Sequence, residues 1–135
     1  MSRLTVFLAR FIGLFTVVMV ASLPLRGGTM IETLVTNGQL VFTYAIISLA
    51  IGLAMILGHN VWSGGVLPVV VTLVGWLILA KGLVLLFVMP NSLTQLFDQI
   101  RYGAHYYLYL VPSFVIGLYL TWAGFTAPSP IARLK

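Results

Sequence analysis

The sequence predicts an all-α integral membrane protein, a single domain over 1–135 built as a four-helix bundle with two short amphipathic surface helices. Three observations predict it. Hydrophobic residues make up 61% of 135, or about 82 side chains, where four spans of about 20 residues need about 80. Charged residues make up 7%, against about 25% in an ordinary soluble domain. So few charges cannot cover the surface of a soluble domain this size. The apolar residues also fall in continuous runs. Helices satisfy their own backbone groups in lipid, whereas an open sheet leaves an edge unpaired.

The elements follow in order. The first span covers about 4–25 and contains Arg10. Its apolar stretch from Phe11 to Leu25 is long for a cleavable signal, and Ser22-Leu23-Pro24 is a poor cleavage site, so it is expected to stay as a span. Thr29-Met30-Ile31-Glu32 forms a capping box ahead of apolar Leu34 and Val35, and Asn37-Gly38 closes a surface helix at about 29–37. The second span covers about 39–57. The third, about 66–89, contains Lys81. Ser92-Leu93-Thr94-Gln95 is a second capping box, and Leu93, Leu96, Phe97 and Ile100 recur at helical spacing, giving a surface helix at about 92–102 before Gly103. The fourth span covers about 106–125, with Pro112 expected to kink it.

Basic residues set the expected orientation. Arg3, Arg10, Arg133 and Lys135 flank the termini, while Arg26 and Arg101 lie in the two opposite connections. The positive-inside rule then places both termini in the cytoplasm.

A possible repeat runs through the chain. Ser48-Leu49-Ala50-Ile51-Gly52-Leu53 follows Gly38 as Ser113-Phe114-Val115-Ile116-Gly117-Leu118 follows Gly103, always 65 residues apart. The other spans share only Leu8-Ala9-Arg10 against Leu79-Ala80-Lys81, at a different offset. Two tandem units of span, surface helix and span would have a pseudo-axis along the membrane normal. Chance similarity between apolar helices is the competing explanation.

Small residues at helical spacing mark packing faces: Ser48 and Gly52 in the second span, Gly75 and Gly82 in the third, Ser113 and Gly117 in the fourth. Lys81 is the costliest residue, since a charge near the bilayer centre costs about 2.5–3.5 kcal/mol on insertion scales. It is expected to reach outward, where the chain's two carboxylates, Glu32 and Asp98, supply candidate ion-pair partners. Arg10 is expected to meet lipid phosphates. His59, Trp62, Tyr106 and Trp122 are expected at the membrane interfaces, His59 also as a helix-end residue.

Several classes drop out. No cysteine is present, so thiol chemistry is absent. Two carboxylates and two histidines are too few for a metal or acid–base cluster unless subunits share one, so no metal or cofactor is expected. The net charge of +5 is scattered and does not suggest nucleic acid.

The stretch His59-Asn60-Val61-Trp62, then Val71-Thr72-Leu73-Val74-Gly75-Trp76 and Lys81-Gly82, resembles a pattern in small uncharacterised bacterial integral membrane proteins. The resemblance implies that Lys81 and His59 belong to a pattern. Small multidrug exporters, fluoride channels and thiol-oxidising four-span enzymes fit less well: the first span has no glutamate, the asparagine signature is missing and cysteine is absent.

The leading expectation is a non-catalytic membrane protein that packs against lipid and other transmembrane helices, as an accessory subunit of a complex or as a homo-oligomer. The alternatives are a small transporter or channel with Lys81 on an anion path, and a pigment-, haem- or quinone-associated subunit using His59 or His105.

Overall fold

The structure, a computed structural model, describes residues 2–26, 33, 36–88, 92, 95 and 106–127. One helix occupies each apolar segment: α1 (Arg3–Arg26), α2 (Gly38–Gly58), α3 (Val66–Phe87) and α4 (Tyr106–Thr126). No strand occurs among the described residues. By length and composition α1, α2 and α3 can each cross a membrane, while α4 holds a shorter apolar stretch, Leu110–Thr126. The two expected surface helices lie outside the described residues apart from Thr33, Thr36, Asn37, Ser92 and Gln95.

Local chemistry starts and stops these helices. The Ser2 hydroxyl accepts the Thr5 amide at 3.1 Å and caps α1. Asn37, expected only to close a surface helix, caps α2: its side chain accepts the amides of Gln39 and Leu40 at 3.1 and 3.3 Å. The α2–α3 connection turns at Gly64 and Gly65, whose φ values of 91° and 127° suit glycine alone. Pro112 lies inside α4 and removes the amide that the Leu108 carbonyl would otherwise accept.

The helices form two antiparallel pairs. α2 packs along α3 and α1 packs along α4, while contacts between the pairs are few. Glycines make the closest approaches on both seams. A β-carbon placed on Gly52 would lie 2.6 Å from the Leu79 backbone, and one on Gly82 would lie 2.7 Å from the Leu49 amide. On the other seam, a β-carbon on Gly13 would lie 2.5 Å from the Thr121 amide. Backbones this close maximise van der Waals contact, which replaces the hydrophobic drive that lipid cannot supply between helices.

The two pairs meet at one end, here termed the lower end, where α1 and α3 start and α2 and α4 finish. Ala9, Ile12, Met55, Leu67, Val71 and Leu120 form the buried cluster there, with residues from all four helices.

Burial repeats between the pairs. α1 buries Thr5, Val6, Ala9 and Gly13, and α3 buries Leu67, Pro68, Val71 and Gly75, each 62 residues later. α2 and its C-cap bury Ala45, Gly52, Met55 and His59, and α4 buries Leu110, Gly117, Leu120 and Gly124, each 65 residues later. The first correspondence corrects the alignment of Leu8-Ala9-Arg10 with Leu79-Ala80-Lys81. Burial pairs Arg10 with Thr72 instead, because the faces that pack, rather than the letters, coincide at that offset.

Candidate functional site

Polar side chains sit in a few places among the apolar helices, and two of them close helix ends. The last turn of a helix leaves carbonyls without amide partners, and in lipid no water satisfies them. At the lower end of α4, Arg10 of α1 donates its Nε–H to the Gly124 carbonyl at 2.8 Å, and its guanidinium carbon lies 4.9 Å from the centre of the Phe125 ring. A cation at a helix C-terminus is also favoured by the helix dipole. Gly124 permits this approach, since a β-carbon there would lie 3.0 Å from Arg10 Cγ. Arg10, expected to meet lipid phosphates, thus has a partner within the protein.

At the equivalent place on the other pair, Thr72 is 1% exposed and holds the chain that leaves α2. Its hydroxyl accepts the Val61 amide at 3.1 Å, and its single proton faces the carbonyls of Val61 and Pro68, each at 3.0 Å, with His59 at 3.5 Å. Thr72→Val keeps the shape and removes these bonds. It is expected to cost about 1–3 kcal/mol, because the Val61 amide loses its partner. Thermal unfolding in detergent measures this, and unchanged stability would show that the hydroxyl is dispensable.

His59 is the C-cap of α2, its amide bonded to the Met55 carbonyl. It is 3% exposed, and its Nε2 has no hydrogen-bond partner among the described residues. The helix-end role therefore fits, whereas an interfacial anchor does not: the ring lies inside the chain. Trp62 and Trp122 are exposed, and Trp62 donates its indole N–H to Asn60 Oδ1 at 2.6 Å. Tyr106 begins α4, and its side chain lies outside the described set, as do Glu32, Asp98 and His105.

Lys81 lies on the outer flank of the α2–α3 pair. Gly52 on Leu79 and Gly82 on Leu49 fix an antiparallel register that puts its Cα level with Ala50. Its amine, however, donates to the Tyr44 hydroxyl at 2.8 Å and lies 4.7 Å from the centre of the Tyr44 ring. Tyr44 is six residues nearer the start of α2, about 9 Å at 1.5 Å per residue. The lysine is thus drawn toward the upper end, away from the lower cluster.

Of the expected packing residues, Ser48, Gly52, Gly75 and Gly82 are buried on the α2–α3 seam and Gly117 on the α1–α4 seam. Ser113 is exposed, so the α4 packing stripe does not include it. Three contributors went unread in the sequence: Gly13, Tyr44 and Arg10 as a partner of Gly124. Ala9-x-x-x-Gly13 carried the small-residue signal for the first. No local pattern announced Tyr44, since its contact with Lys81 depends on the stagger of two helices.

No protein-family model, curated protein or solved structure matches this chain. Its functional reading therefore rests on the residues themselves. Among the described residues, no group of histidine, aspartate and glutamate could hold a metal ion.

Proposed function

We propose that this is a non-catalytic integral membrane protein whose work is helix packing, as an accessory subunit of a membrane complex or as a homo-oligomer. The observation that supports it is the distribution of side-chain size. Gly13, Gly52, Gly82 and Gly117 let the backbones approach along the seams, while many large apolar residues point out of the bundle. Phe7, Phe11 and Phe15 stack in a ladder along the outside of α1, with centroids 6.1 and 6.2 Å apart. An outer surface of this kind suits lipid tails and the flanks of other transmembrane helices.

In this reading α4 crosses the membrane like its neighbours, the lower end is cytoplasmic in a bacterial inner membrane, and the chain is two tandem units. The matched burial at 62- and 65-residue displacements supports duplication. An anion path along Lys81 is the less favoured reading. Lys81 flanks one helix pair instead of lining the contact between pairs, so such a path would need a second chain to complete it.

Cross-linking in native membranes, followed by purification under mild detergent, tests the proposal. A stoichiometric partner or a fixed multiple of this chain is expected, and a chain recovered only as a monomer would overturn it. Reporter fusions after Lys135 test the orientation, where a signal from outside the cytoplasm would reverse it.

A further inference from the structure

We infer that Lys81 and Tyr44 form a binding site for the phosphate of an anionic phospholipid at the upper end of the α2–α3 pair. The inference rests on the helices crossing a membrane.

The register that puts Lys81 level with Ala50 puts Tyr44 level with Phe87, the last residue of α3. The first residues of α2, 38–43, therefore stand above the end of α3 as a step. Phe87, 79% exposed, lies at its foot. Lys81 reaches toward this level from below, and its amine meets the Tyr44 hydroxyl at 2.8 Å. Among the described residues no carboxylate meets the amine, and an ammonium near hydrocarbon gains from an anion.

The chemistry of the pair selects phosphate. The Tyr44 hydroxyl accepts one N–H of the amine and keeps its own proton to donate. Two donors thus stand 2.8 Å apart, one of them charged. That spacing suits two unbridged oxygens of one phosphate, and bonds with an ionised donor or acceptor are roughly twice as strong as neutral ones. The surroundings select a lipid. Leu40, Ile47, Leu77 and Val84 are all exposed on the flanks of the two helices and offer apolar surface to acyl chains. A hydrated anion would gain nothing from that surface.

The other pair lacks the site. By the burial correspondence its equivalents are Met19 and Tyr109, so the cation is missing there. One lipid per chain is the expected stoichiometry.

The test uses the full chain reconstituted into phosphatidylcholine vesicles containing phosphatidylglycerol, then extracted gently for native mass spectrometry. Recovery of the protein in the vesicles comes first, and its failure would remove the membrane reading, not the site alone. Given recovery, one phosphatidylglycerol should stay bound to the wild type. Lys81→Met should reduce retention about tenfold, Tyr44→Phe less, and Lys81→Arg should keep most of it. Tryptophan fluorescence melting confirms that each variant is folded. Equal retention by wild type and folded Lys81→Met overturns the site. So does a several-fold gain in Asp98→Asn, which would make Asp98 the partner of Lys81. Stabilisation of the wild type, but not of Lys81→Met, by millimolar inorganic phosphate without phosphatidylglycerol would assign the site to free phosphate and overturn the lipid.

Discussion

Gly52→Leu is expected to separate α2 from α3. The β-carbon alone would lie 2.6 Å from both the amide and the Cα of Leu79, and backbone cannot yield as a side-chain tip can. The helices must move apart, which also loosens the Gly82 contact with Leu49. Overpacking a fitted interior costs about 1–3 kcal/mol, occasionally more, and a branched four-carbon side chain in a backbone contact belongs at the upper end. A graded series isolates the cause. Gly52→Ala should cost clearly more than Gly75→Ala, because the β-carbon at 75 meets side-chain atoms and no backbone: Met55 Cβ at 3.1 Å, Met55 Cε at 3.4 Å and Ile56 Cγ1 at 3.7 Å. A shift of a few tenths of an ångström relieves the Met55 Cβ contact, and the chain beyond it is flexible. Unfolding followed in detergent ranks the three variants. Equal stability of Gly52→Ala and Gly75→Ala would show that the seam is looser than its geometry.

Arg10→Met is expected to destabilise the other pair. It removes an insertion cost, so a purely lipid-facing arginine would leave the protein unchanged or more stable. An arginine that completes the end of α4 behaves in the opposite way. The Gly124 carbonyl loses its donor at 2.8 Å, Phe125 loses its cation, and an unsatisfied buried carbonyl costs about 1–3 kcal/mol. Arg10→Lys keeps the charge without the planar fork and should fall between the two. Cross-linking between cysteines introduced on α1 and α4 reads the seam directly, and a wild-type yield in Arg10→Met would return Arg10 to the lipid.

The helices were legible because each apolar run is continuous and bounded by glycine, proline or polar residues. The glycine stripes at 52, 75, 82 and 117 were legible for a related reason: small residues at helical spacing have few other uses in a membrane segment. Stripes do not name their partners, however. Nothing in the sequence pairs α1 with α4 across most of the chain, and that pairing is what turns Arg10 from a lipid contact into a helix cap. Ser113 misled because it copies Ser48 in sequence while facing outward, and letters shared by two apolar helices do not fix their rotation. Lys81 was legible as a problem, but its partner Tyr44 depends on the stagger of α2 against α3, which no local pattern records.

The pairing also sets an order of assembly. α2 and α3 are joined by residues 59–65 and can zip together as soon as both are made. The α1–α4 seam closes through contacts such as Arg10 to Gly124, which lie 114 residues apart. At synthesis rates of about 5–20 residues per second, α1 waits roughly 5–20 s for its partner. Through that interval Arg10 lies in or beside the membrane without its carbonyl, and the Gly13 face stands open to any other small-residue helix. The vulnerable species is therefore a three-helix chain with its first helix unclaimed, and a rival helix competes for the protein best before α4 arrives.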